Sequence, residues 1–105
     1  MDTTAHIIAE KLKSRLSGKI PLVDLRIFGS RARGDGDEYS DLDIFLEVES
    51  INSYQKEAIL DITWETSLEF GLVISPLVFT RDEVENSALR SSPVLMNILR
   101  EGIVV

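Results

Sequence analysis

Apolar side chains return every three or four positions over residues 4–16, as Ala5, Ile8, Ala9, Leu12 and Leu16, with Glu10, Lys11, Lys13 and Arg15 between them. That spacing predicts an amphipathic helix, with Thr3 or Thr4 as its N-cap and Gly18 placed to end it. Pro21 marks entry to a strand over residues 22–28, where Val23, Leu25 and Ile27 alternate with Asp24 and Arg26. Gly29-Ser30 breaks it, and residues 31–40 form a polar stretch with two glycines. A second strand follows over residues 41–48. Leu42, Ile44, Leu46 and Val48 share one face, while Asp41, Asp43, Phe45 and Glu47 share the other.

A second long helix is expected over residues 54–70, capped by Ser50, Asn52 or Ser53. Ala58, Ile59, Ile62, Thr66 and Phe70 form its buried stripe, and Gly71 its stop. Residues 72–79 are strongly strand-prone, and Pro76 within them points to an edge position or a bulge. Thr80-Arg81-Asp82-Glu83 is a capping box that opens a short helix to about Leu89. Ser92-Pro93 reads as N-cap and first turn of a last helix that stops at Gly102, with Ile103-Val104-Val105 trailing. In that helix Val94, Leu95, Ile98 and Leu99 suit a core or an interface, and are assigned to the core. Helices and strands alternating in this order describe an α/β (α+β) chain, a small mixed β-sheet flanked by helices.

Length and composition narrow the function. The 105 residues fit a single domain, and hydrophobic content of 44% against 28% charged is that of a globular chain. No apolar run approaches the roughly 20 residues of a membrane helix. The acidic, polar start at Met1-Asp2-Thr3-Thr4 is unlike a signal peptide, so a cytoplasmic location is expected. The absence of cysteine excludes disulfides and Cys-ligated metal sites, and the lone His6 excludes paired-His zinc motifs. Lys+Arg number 11 against Asp+Glu 18, a net charge of −7. That balance argues against direct nucleic-acid binding, which draws on basic side chains. It suits a metal–nucleotide complex or a basic protein partner.

Three features with chemical potential meet at residues 28–43. Gly29-Ser30 ends a strand with a residue that lets the backbone turn sharply and lets a phosphate approach. If Ser30-Arg31-Ala32 opens a helical turn, its N–H groups, the Ser30 hydroxyl and an arginine make an anion site. Asp41 and Asp43 alternate on one strand face, about 7 Å apart along the chain. Carboxylates that close favour a cation between them, and Mg²⁺ takes carboxylates, waters and phosphates together. Ten residues separate Ser30 from Asp41, giving a Gly-Ser, ten-residue, Asp-x-Asp spacing. Other motifs fail: Asp35-Gly36 stands where a P-loop needs Lys-Ser/Thr, and Tyr39 and Ser40 stand where an EF-hand loop needs a ligand and Gly. Ser30 lies in no nucleophile elbow.

The stretch Phe28-Gly29-Ser30-Arg31-Ala32-Arg33-Gly34 through Ser40-Asp41-Leu42-Asp43 resembles the nucleotidyltransferase superfamily that includes DNA polymerase beta and kanamycin nucleotidyltransferase. With the short length, it is similar to the minimal nucleotidyltransferase branch. The resemblance implies a polymerase beta-like fold in which Gly29 and Ser30 hold a nucleoside triphosphate such as ATP. Asp41 and Asp43 would be the catalytic carboxylates and Mg²⁺ ligands, in a site with room for two metal ions. Arg31 and Arg33 would contact phosphate, unless one pairs with Asp35, Asp37 or Glu38. It also implies a HEPN-domain partner, with this chain as antitoxin of a toxin–antitoxin pair and AMP passing to a tyrosine of that partner. A homo- or hetero-oligomer is compatible with it. In one respect the chain departs from the pattern: active members carry a third carboxylate on a later strand, and Ser75 lies nearest to that position here.

Overall fold

The computed structural model describes residues 2–37 and 39–105. Strand β1 (Leu22–Phe28) spans the predicted residues and lies in the middle of the molecule. It pairs antiparallel with β2 (Leu42–Val48), Leu25 opposite Leu46 and Ile27 opposite Ile44. β3 (Ile74–Thr80) lies parallel to β2, Asp43 facing Ser75 across the ladder. A parallel pair needs a long crossover, and α3 (Ser53–Phe70) supplies it. β4 (Ile103–Val104) closes the sheet on the other side of β1, for an order β3-β2-β1-β4. Pro76 thus sits on an edge strand, as its missing N–H requires.

One face of the sheet carries the main core. Ala5, Ile8, Ala9, Leu12 and Leu16 of α1 (Thr3–Ser17) pack with Leu25, Ile27, Leu42, Ile44, Leu46, Val48, Ile59 and Ile74. The two long helices are tied by Arg15, which donates to Thr66 Oγ1 at 2.9 Å and to Glu69 at 2.7 Å. The other face has a smaller core of its own. Phe45 packs there with Leu95 and Ile98 of α5 (Pro93–Glu101), and its ring centroid is 5.9 Å from that of Phe79. The face shared by Asp43 and Phe45 is therefore covered over its middle and open only at its Asp end. No described helix is long and apolar enough to cross a membrane.

Several boundaries differ from expectation. Asp2, not Thr3 or Thr4, caps α1, its carboxylate accepting from Ala5 N–H at 3.0 Å. Asn52, one of the three cap candidates, does cap α3, with Gln55 in a reciprocal box. Thr63, absent from the expected stripe, is buried, while Ala58, Ile62 and Phe70 are half-buried. The capping box at Thr80 opens only α4 (Arg81–Asn86), and a 3-10 turn (Ala88–Ser91) follows where one helix to Leu89 was expected. In α5, Leu95 and Ile98 are buried as assigned, but Val94 and Leu99 are exposed. Ile103-Val104 is a strand rather than a tail, continued by Val105 N–H donating to Leu25 O at 3.1 Å.

Asp2 does double duty, because its second oxygen accepts from Arg31 Nη1 at 2.6 Å. The Ala5 N–H and, against partial burial, the Arg31 guanidinium hold its carboxyl below the usual range. Asp2→Ala should cost about 1–2 kcal/mol in urea denaturation at pH 7, the usual loss for an N-cap. A carboxyl depressed in the folded state contributes fully above its unfolded pKa of about 3.9 and loses that contribution as pH falls. The gap between Asp2→Ala and the unaltered chain should therefore shrink as pH drops below about 4.

Candidate active site

Gly29 leaves β1 at φ 77°, ψ −157°, a region that residues with a Cβ do not tolerate. Its carbonyl accepts from the N–H groups of Ala32 and Arg33, which closes Ser30–Arg33 into one helical turn, α2. The anticipated turn after Gly29 is thus present. The Ser30 carbonyl in turn accepts from Asp35 and Gly36, and Gly36 packs against the Ser30 hydroxyl. Phe28, the residue before the turn, lies opposite Asp43 in the β1–β2 register. A Cβ at Gly29 would overlap the Asp43 carboxylate itself. The first glycine of the motif therefore lies directly against its second aspartate.

The two aspartates lie at the opening of β2. Asp41 is exposed, just before the strand, and Asp43 is half-buried on it. Burial and then the nearby Asp41 charge push the Asp43 carboxyl up from its ordinary value, while Arg33 pulls it down. A half-buried carboxylate repelled by a neighbouring one is relieved by a cation between them. Mg²⁺ fits them, since it needs only one or two protein carboxylates and completes its octahedron with water and phosphate. Among the described residues no group of three or more His, Asp or Glu gathers to form a closed metal cage.

The two arginines part company. Arg33 is 55% exposed at its side chain, paired with Asp35 at 3.3 Å, and its charge pulls the Asp43 carboxyl down. Arg31 is 5% exposed and turned inward. It donates to Asp2 and, at 2.8 Å, to the Ser40 carbonyl, so it ties the motif loop to the start of α1. Of the acids weighed as arginine partners, Asp35 pairs with Arg33, Asp37 bonds Tyr39 and Ser40, and Glu38 lies outside the described residues.

A cleft of about 240 Å³ opens beside Gly29 and Arg33, lined by Phe28, Ala32, Val94, Asn97, Ile98 and Glu101. Its α5 wall was not foreseen. Val94, Asn97, Ile98 and Glu101 recur at i, i+3, i+4 and i+7, so the helical period put them on one face, but nothing in the sequence aimed that face at residue 29. Ser75 stands next to Asp43 on β3, where the third carboxylate was looked for.

The family model described as nucleotidyltransferase domain matches residues 7–105. The chain belongs to the nucleotidyltransferase domain family. Among its relatives, "Putative protein adenylyltransferase MJ0604" of Methanocaldococcus jannaschii is 34% identical over 94 residues, 90% of this chain and 86% of that protein. "Putative protein adenylyltransferase MJ0141" of the same organism is 38% identical over 68 residues, 57% of this chain and 69% of that one. A solved "putative minimal nucleotidyltransferase" superposes with TM-score 0.69 at 24% identity, covering 97% of this chain and 93% of its own. A "putative nucleotidyltransferase" from Sulfolobus solfataricus gives TM-score 0.56 at 19% identity, covering 96% and 78%. At those identities the two structures speak for the fold, which is the nucleotidyltransferase one.

Gly29→Ala should destabilise the nucleotidyltransferase domain by about 1–3 kcal/mol in urea denaturation, from backbone strain alone, and should displace Asp43. Gly34 has φ 81°, ψ 8° and open space around it. Gly34→Asn should cost less than about 1 kcal/mol, since Asn accepts the left-handed helical region. Equal losses in the two variants would mean that neither the backbone strain nor the Asp43 contact sets Gly29 apart.

Proposed function

We propose that this nucleotidyltransferase moves AMP from ATP to a hydroxyl on a partner protein, with Mg²⁺ held by Asp41 and Asp43. The observation that carries it is the convergence of a glycine turn, an exposed Arg33 and two carboxylates at one sheet end. The relatives called protein adenylyltransferases support AMP and a protein acceptor. Gly29 lets the turn close directly over Asp43, the helical turn opened by Ser30 offers N–H groups to the triphosphate, and Arg33 supplies an exposed positive charge for its oxygens. Arg31 positions the loop through Asp2 and Ser40 instead of touching phosphate. Mg²⁺, when bound, neutralises charge on the triphosphate, where catalysis of this class rests on positioning and electrostatics. The acceptor oxygen then bonds to the α-phosphorus as pyrophosphate leaves.

Ser75 shapes the choice of acceptor. It stands beside Asp43, and a neutral hydroxyl is no base at pH 7. A tyrosine phenol, with a pKa near 10, needs less help in losing its proton than an aliphatic alcohol does. A tyrosine of a HEPN-domain toxin, with this chain as its antitoxin, fits that requirement. A second reading draws on the same Ser75: a domain that has lost turnover and silences its partner by occluding it.

Intact-mass spectrometry after incubating the chain and its partner with ATP and Mg²⁺ separates the two. One AMP should appear on the partner, and Asp41→Asn with Asp43→Asn should abolish it, a loss of about 10³-fold or more in rate. A stable silent complex without added mass would support occlusion. Ser75→Asp should raise the transfer rate. An unchanged or lower rate would remove the argument that a base is missing.

A further inference from the structure

α3 shows an apolar row to water. Leu60, Trp64 and Leu68, four residues apart, are 63%, 65% and 65% exposed, and Val73 on the approach to β3 is 60% exposed. Between this row and the β3 edge runs a groove of about 510 Å³, walled by Thr63, Ser67, Ile74 and Pro76. A row of acids, Glu57, Asp61 and Glu65, follows the apolar row along the helix at the same spacing, and all three are exposed. Ion pairs among the described residues involve none of them. Lys56 is the sole cation of α3.

We propose that this groove docks a helix of a partner protein whose apolar ridge is flanked by lysine or arginine. The apolar row supplies the anchor positions of a helix-in-groove contact, and the acid row selects the sign of the flank. A second copy of the chain fits poorly. Pairing α3 with α3 would set acid row against acid row in a protein already at −7. An added β-strand fits poorly too, since Pro76 removes a donor from the exposed edge. The groove also leads to the active site: Leu42 N–H donates to Val73 O at 2.8 Å, so its upper end is one strand away from Asp41 and Asp43. Delivery of a partner's hydroxyl to those carboxylates rests on the nucleotidyl-transfer reading. The docking does not.

Trp64 is the only tryptophan, so its fluorescence reports occupancy of this groove directly. The probe is a synthetic amphipathic leucine–lysine helical peptide, with its leucine–glutamate counterpart as control. The lysine peptide should shift Trp64 emission to the blue, saturably, and bind at least about tenfold more tightly than the glutamate peptide. The combined Glu57→Lys, Asp61→Lys and Glu65→Lys change should reverse that order. Leu68→Ser, an exposed substitution that leaves the core intact, should weaken the lysine peptide in case the triple change does not fold. Equal response to both peptides, or response to neither, overturns the proposal. So does a concentration-dependent Trp64 shift with sedimentation of the chain alone as a dimer, which would make a second copy the occupant. The Asp41→Asn, Asp43→Asn chain should bind the peptide as the unaltered chain does. Loss of docking with AMP transfer intact would overturn only the surface, and intact docking without transfer only the reaction.

Discussion

Asp43 sits against Gly29, and only a residue without a side chain lets it. That contact depends on the antiparallel register of β1 and β2, which puts Phe28 opposite Asp43 so that the chain turns over the carboxylate in the very next residue. Everything else in the site takes its place from there. The turn projects Arg33 over Asp43 and Arg31 inward to Asp2, two outcomes from arginines only two residues apart. The carboxylate is held partly buried beside a second one, an environment that makes its bare charge costly.

The sheet supports this geometry from both sides. On one face α1 and α3 bury the inward row of β1 and β2, which fixes the register through side chains that a one-residue slip would turn to water. On the other, Phe45 brings α5 down onto the strand two residues beyond Asp43. α5 then forms the far wall of the cleft beside Gly29. A single strand therefore alternates between chemistry and packing on the same face: Asp43 at its open end, Phe45 under α5, and Glu47 buried beyond. Burial and the Asp24 and Glu85 charges push the Glu47 carboxyl up, against the pull of Arg81 and Arg26.

Much of this was legible in the sequence because it is local. The alternation over residues 22–28 and 42–48, the helical stripe of α1, the Thr80–Glu83 box and the glycine stop at residue 71 each depend on neighbours within a turn or a strand. The spacing from Ser30 to Asp41 pointed to the site, since a turn and a strand pair connected by one short loop must meet at one sheet end. What depended on distant residues was not legible. Arg31 finds its carboxylate 29 residues away, and two equivalent-looking arginines could not be told apart without it. β4 is two residues long, too short for any period, and exists because β1 offers it an edge. Phe45 read as one more member of an acidic face until α5 was seen to cover it. Leu60, Trp64 and Leu68 lie off the stripe that meets the sheet, and only the exposure of that row gives it meaning.

In the proposed function Asp41 and Asp43, under the Gly29 turn, bind a nucleotide through a divalent cation. Isothermal titration of ATP into the chain, with and without Mg²⁺, tests it most directly. Binding should require Mg²⁺, fall by about tenfold or more in Asp43→Asn, and fall also in Arg33→Ala, while Ser75→Ala leaves it unchanged. ATP binding of equal strength without Mg²⁺, or undiminished in Asp43→Asn, would contradict it.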